Sequence, residues 1–216
     1  MRYDSKRQAG SKYAMGGFDF RFGNGGDDSP RLTVETVDNH IYFYADVDSD
    51  RCLALMRSIR ETDAALRTEY VSRGLDGQPM TPIWLHIHSY GGDLFAGFSV
   101  ADQLKMIQSP VYTVVEGICA SAATLIALSS KRRYILPNSF MLIHQLSSMM
   151  WGTHEQFKDE LNLQNKAMDR LVEFYAEHTN TTEEQLRDML RRDFWMDAQT
   201  CVDNGFVDEI LGNTQG

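Results

Sequence analysis

From Leu32 onward the chain alternates between a two-residue and a 3.6-residue period, and no other property restricts its fold as strongly. β-rich runs at Leu32–Val37 and His40–Ala45 are parted by Asp38-Asn39, a turn signal. Apolar residues at 52, 55, 56, 59, 65 and 66 then give the spacing of one helix face over Cys52–Leu66. Gly74, Asp76, Gly77, Pro79 and Pro82 mark a loop. Ile83–Ile87 reads as a strand, Phe95–Ile107 as an amphipathic helix and Val111–Val115 as a strand. Ala120–Leu128 is a small-residue, nearly all-apolar helix that belongs inside. Two short strands, Tyr134–Leu136 and Phe140–Ile143, flank Pro137-Asn138. A long helix over 154–178 places Phe157, Leu161, Met168, Leu171, Val172 and Tyr175 on one stripe, interrupted by the polar stretch Asn162–Lys166. Thr181 and Glu184 have the spacing of a capping box for a helix over 183–192. Strands alternating with helices predict crossover units around one sheet, an α/β fold.

Residues 1–30 behave differently. Six of the 16 glycines lie there, and Asp27, Asp28, Ser29 and Pro30 close the stretch. Such a segment cannot bury enough apolar area to offset its ordering entropy, so it is expected to be a flexible arm or a pro-segment. The alternation of Phe18, Phe20 and Phe22 would also suit a docking peptide. Thirty acidic against 21 basic side chains give a formal charge of −9, and the basic residues are scattered, which argues against nucleic acid as a partner. No apolar run reaches the roughly 18 residues of a membrane span, and the first residues lack the apolar stretch of a signal peptide. Cys52, Cys119 and Cys201 form no ligand spacing, and reduced thiols in the cytoplasm are the simplest expectation.

Four places could carry chemistry. Gly91-Gly92 follows a strand and opens a helix, where glycine lets the backbone turn and offer N–H groups to an incoming oxygen. An ordinary tight turn needs the same residues. Ser121 stands among Gly117, Cys119, Ala120, Ala122 and Ala123, again between strand and helix, as the nucleophile elbows of hydrolases do. Taken alone, a helix N-cap is the commoner use of such a serine. His144 ends the apolar strand Phe140–Ile143, a suitable seat for a general base and equally for a histidine bonded to backbone. Asp193 could fix the tautomer of an imidazole, or simply pair with Arg191 or Arg192. The remaining histidines, 40, 86, 88, 154 and 178, show no metal-ligand spacing.

The order Ser121, His144, Asp193 follows neither the chymotrypsin nor the α/β-hydrolase sequence of triad residues. The segments His88-Ser89-Tyr90-Gly91-Gly92, Gly117-Ile118-Cys119-Ala120-Ser121-Ala122-Ala123, Leu136-Pro137-Asn138-Ser139, Met141-Leu142-Ile143-His144-Gln145, Arg192-Asp193 and Gly205–Ile210 together resemble the proteolytic subunit of the Clp protease, the ClpP family. The resemblance runs in register over about residues 31–212, leaving 213–216 as a tail. It implies a crotonase-like fold of repeated ββα units with a protruding handle helix near 154–178, preceded by a strand at about Leu146–Gly152. It also implies a serine endopeptidase with Ser121 as nucleophile, His144 as base and Asp193 as its partner, and an oxyanion hole made by the N–H groups of Gly91 and Ala122. Heptameric rings stacked as a tetradecamer and an AAA+ unfoldase that feeds in unfolded polypeptides follow from the same resemblance. So does the absence of a metal or organic cofactor, ATP being used by the unfoldase. No nucleic-acid or membrane partner is expected from the charge and hydropathy above.

Several positions depart from the family pattern. A proline expected before Gly91 is Tyr90, a glutamine expected after Gly117 is Ile118, and the residue after the nucleophile is the small Ala122. The segment before the handle, usually glycine-rich, reads Ser147-Ser148-Met149-Met150-Trp151-Gly152, and Thr68–Thr81 is extra. Positions matching the aromatic docking pocket read Trp84, His86 and Met106. An active peptidase is the leading expectation because no triad residue is lost. A silent subunit of a mixed ring is the alternative, and an acyl-CoA enzyme of the wider crotonase group a distant third. Cys119, two residues before Ser121, is expected to be buried and inert.

Overall fold

A computed structural model describes residues 34–147 and 151–212. The expected arm at 1–30 and the tail at 213–216 lie outside the described residues. The chain opens with a hairpin, β1 (Val34–Val37) and β2 (His40–Phe43), closed by Asp38 at φ 54°. Helix α1 (Ser49–Ser72) is capped by the Asp48 carboxylate and runs six residues past the periodic stretch that predicts it. Strand β3 (Ile83–Ser89), helix α2 (Leu94–Leu104) and strand β4 (Val111–Ala120) follow. Then come α3 (Ala122–Leu128), β5 (Arg132–Ile135), β6 (Phe140–Ile143), α4 (His154–His178) and α5 (Glu183–Met189). Strand β7 (Phe194–Asp197), helix α6 (Ala198–Asp203) and strand β8 (Glu209–Ile210) complete the described chain.

The sheet runs β1-β2-β3-β4-β5-β8, with β6 bridging β4 and β7. All its pairings are parallel except β1 with β2 and β6 with β7. Strand β4 serves two neighbours in turn. Its residues 112–115 pair with β5, and 118–120 pair with β6. The change falls at Gly117, whose φ of 75° suits glycine and whose Cβ would stand 2.8 Å from His88 Nδ1. The Gly117 N–H is held by Ser139 Oγ at 2.7 Å, which gives Pro137-Asn138-Ser139 its place.

In β3 the residues Ile83, Leu85 and Ile87 are fully buried, on the face covered by α1 and α3. The alternate positions Trp84, His86 and His88 meet His40, Tyr42, Tyr44, Tyr112 and Tyr134 on the other face. Helix α4 is divided. Residues 154–166 contain no buried side chain, with Phe157, Leu161 and Leu163 exposed, whereas Ala167, Leu171, Val172, Phe174 and Tyr175 are buried. A first half without a core partner in one chain accords with a protruding helix.

Three expectations are corrected. The box that starts α5 is Thr182 with Gln185, not Thr181 with Glu184, because Thr181 is buried and its hydroxyl is spent on the Asn204 carbonyl. Of the strand expected at 146–152, residues 148–150 lie outside the described residues, and 146, 147, 151 and 152 belong to no strand. The segment Thr68–Thr81, read as an insertion after a helix ending at 66, is helical to Ser72.

Candidate active site

Ser121 is the one residue between β4 and α3, and its backbone is unusual: φ 53°, ψ −128°. A non-glycine residue there costs on the order of 1–3 kcal/mol and persists only where its surroundings hold it. They do so at both ends. The Ser121 N–H donates to the Leu142 carbonyl at 2.8 Å, and the Ser121 carbonyl accepts from the Thr124 N–H at 2.9 Å and from Thr124 Oγ1 at 2.6 Å. The side chain makes no capping bond, so the serine is an N-cap in position but not in function. Its small neighbours have a packing cause: a Cβ on Gly97 of α2 would stand 2.9 Å from the Ala122 carbonyl oxygen and 3.3 Å from Ala122 Cβ.

Gly91-Gly92 lies against this elbow. Gly91 has φ 90°, and a Cβ there would stand 2.5 Å from the Ala120 carbonyl, 2.7 Å from Ser121 Cβ and 3.1 Å from the Ala122 nitrogen. Gly92 at φ 149° passes Val47 so closely that a Cβ would meet its carbonyl at 2.2 Å. Val47 clamps the turn from outside, donating to the Gly91 carbonyl at 2.8 Å and accepting from the Asp93 N–H at 2.7 Å. These contacts do what a proline would do at Tyr90, which is 41% exposed and meets the His88 ring edge-on. The Gly91 N–H points to Ser89 Oγ at 3.1 Å.

The ladders bring the other two residues to the same rim. Ala120 pairs with Leu142 in parallel, and Ile143 pairs with Phe194 in antiparallel. Ser121 directly follows the first of these pairs, while His144 follows and Asp193 precedes the second, so the three stand at the ends of adjoining strands. Their side chains are nonetheless unlinked: among the described residues no hydrogen bond joins Ser121, His144 and Asp193. His144 Nδ1 lies 2.7 Å from the Gln145 carbonyl. A carbonyl only accepts, so Nδ1 is the donor here, which leaves Nε2 as the nitrogen that could serve as a base. Asp193 is exposed, and neither Arg191 nor Arg192 bonds its carboxylate.

The other reactive groups are accounted for differently. Burial pushes the Cys52 thiol to about 11 and the Cys201 thiol to about 12, and raises Cys119 as well. Cys119 is fully buried, so it is no nucleophile. On the outer sheet face His40 Nδ1 meets His86 Nε2 at 2.9 Å, His86 Nδ1 meets Glu116 Oε1 at 2.7 Å, and Tyr44 donates to Glu116. Burial, then the Glu116 carboxylate, push Tyr44 to about 12. Trp84 and His86 share this face, while Met106 is an exposed residue just after α2. Among the described residues no cluster of three or more His, Cys, Asp or Glu could hold a metal, and no helix is long and apolar enough to cross a membrane. Sequence reasoning missed Val47 and Tyr175 as supports of the rim, because their contacts are distant along the chain, and Thr124, whose bond back to Ser121 shows no signal in an apolar helix.

Comparison with known proteins gives one consistent answer. Residues 36–214 match the family model described as Clp protease. The chain is 37% identical over 134 residues to ATP-dependent Clp protease proteolytic subunit 2 of Treponema denticola, spanning 61% of this chain and 67% of that protein. It is 36% identical over 146 residues to the ATP-dependent Clp protease proteolytic subunit of Streptococcus mutans, spanning 65% and 74%. Among solved structures, the ClpP1 N165D mutant from Listeria monocytogenes superposes with a TM-score of 0.69 at 24% identity, covering 82% of this chain and 93% of that one. That last likeness is one of fold.

Proposed function

The chain belongs to the Clp protease family, and from that premise we propose how its rim works. The protein is a serine-type endopeptidase subunit, cleaving polypeptides by acyl transfer. Ser121 is the nucleophile, His144 the base and Asp193 its partner. The observation that supports this assignment is the register of β4, β6 and β7, which sets 121, 144 and 193 at one edge.

His144 Nε2 takes the Ser121 proton as Oγ attacks the peptide carbonyl. The N–H groups of Ala122 and Gly91 receive the developing oxyanion, Gly91 exchanging its 3.1 Å contact with Ser89 for the stronger charged one. His144 then gives the proton to the leaving amine, and a water activated by the same nitrogen releases the acyl group. In the working arrangement the His144 ring turns its Nδ1–H from the Gln145 carbonyl to Asp193, which stabilises the imidazolium more than a neutral carbonyl does. Every step uses this chain's own residues; ATP is consumed by an AAA+ unfoldase that delivers unfolded chains. The exposed apolar positions on the first half of α4 are the surface that copies of the chain cover in stacked heptameric rings, in the cytoplasm.

Fluorophosphonate labelling of wild type beside Ser121→Ala, with size-exclusion chromatography of both, tests the reading. Labelling that requires Ser121 in a large assembly is expected. Equal labelling of the two proteins moves the nucleophile elsewhere, and an assembled wild type that stays unlabelled shows a silent subunit.

A further inference from the structure

Besides the Thr124 N–H, the Ser121 carbonyl is held by a side-chain relay that reaches into α4. Thr124 Oγ1 donates its only proton to that carbonyl at 2.6 Å, so the 2.7 Å contact between Thr124 Oγ1 and the Tyr175 hydroxyl must be donated by tyrosine. Tyr175 sits in the buried half of α4, 51 residues along the chain, and is 1% exposed. Burial raises its pKa above the ordinary phenol value, so it remains a donor throughout the working range of pH.

The 121–122 peptide gives this relay its importance. A trans peptide is planar and carries its C=O and N–H on opposite sides. Fixing the Ser121 carbonyl therefore fixes the direction of the Ala122 N–H, which emerges beside Gly91. Ser121 has the strained φ/ψ pair 53°/−128°, so with the hydroxyl gone and the carbonyl resting on the Thr124 N–H at 2.9 Å the plane is freer to rotate. Resting on the assignment of Ser121 and Ala122 above, we propose that Thr124 and Tyr175 are positioning residues for the oxyanion hole. Tyr175 polarises the Thr124 hydroxyl, Thr124 locks the 121–122 peptide, and the Ala122 N–H is thereby aimed before substrate arrives. Neither side chain touches the substrate. The same relay joins the packed half of α4 to the nucleophile, so a rotation of that helix about its axis reaches the catalytic rim through one phenol.

Steady-state peptide hydrolysis by the full-length assembled protein tests this with Tyr175→Phe, Thr124→Val, Thr124→Ser and Ser121→Ala. Tyr175→Phe leaves no polar atom unpaired, and is expected to lower kcat about three- to tenfold at unchanged KM. Thr124→Val removes the side-chain half of the anchor, leaving the backbone N–H of residue 124 on the carbonyl, and should cost about tenfold in kcat, short of the 10²–10³ expected for losing an oxyanion donor outright. Thr124→Ser, which keeps the hydroxyl, should restore most of it. Affinity for a peptide boronate, which forms a tetrahedral adduct on the nucleophile, should fall in step with kcat and not with KM. If Thr124→Val fails to assemble, the Tyr175→Phe and Thr124→Ser pair still decides the matter. Wild-type kcat in Tyr175→Phe and Thr124→Val, with Ser121→Ala dead, overturns the relay and leaves the triad standing. Undiminished hydrolysis by Ser121→Ala overturns the site itself.

Discussion

The Ser121 side of the rim and its His144 side are built to different standards. The Ser121 N–H and carbonyl are both engaged, the flanking Ala120, Ala122 and Ala123 are buried, and Gly91 fits against the elbow with no room for a methyl group. Around His144 a single bond to the adjacent carbonyl sets the ring, and Asp193 stands exposed. On the proposed mechanism the half that receives developing charge is fixed by the folding of one chain, where rigidity removes reorganisation from the reaction, and the half that carries the proton depends on rotations of the His144 and Asp193 side chains.

The sharpest way to break the contrast is at the nucleophile. Ser121→Ala should lower peptide hydrolysis by on the order of 10⁴-fold or more while melting at the wild-type temperature; a residual rate near wild type would remove the contrast altogether. Next in size is Asp193→Asn, expected to cost about 10²–10⁴-fold in kcat with no change in thermal stability, since the carboxylate is exposed and among the described residues no ion pair holds it. Wild-type kcat there would mean that the Gln145 carbonyl suffices to orient His144.

Gly91→Ala probes the rigid side through the fold. Strain at φ 90° and a Cβ 2.5 Å from the Ala120 carbonyl should together destabilise by about 2 kcal/mol or more, seen as a lower melting temperature along with lost activity. An unchanged melting temperature would show that the turn gives way easily. The smallest effect concerns the thiols. Burial raises all three above the ordinary value of 9.0, to about 11 in Cys52 and about 12 in Cys201. The unfolded chain therefore ionises first as pH climbs, binds fewer protons than the native state, and is favoured. Melting temperature should decline above pH 9 and hold steady just below it, and a maleimide should label three cysteines only after denaturation. A flat profile from pH 9 to 11, or a native thiol that reacts at neutral pH, would contradict that burial.

Local signals carried much of this architecture. The α/β alternation, the diglycine at the end of β3 and the serine between β4 and α3 were readable from period and residue type, because each strand and helix shows its own buried face. Short elements were not. Strand β8 has two residues, and β7 and α6 adjoin without a turn signal between them, too little for any period to register. Gly117 ends a strand by propensity, yet β4 continues through it because β6 replaces β5 as its partner there. Two threonines had the spacing to cap α5, and burial of Thr181 against Asn204 chose between them.

The residues alone thus determined the kind of fold and named the chemically able side chains, since hydrophobic periodicity and glycine's conformational freedom act within a few positions of the chain. Tertiary structure alone decided that 121, 144 and 193 stand at the ends of adjoining strands, and that the Tyr175 phenol of α4 meets Thr124 beside Ser121. Those facts depend on strand register and on contacts across dozens of residues, where no local preference operates and only the packing of the whole sheet sets which atoms meet.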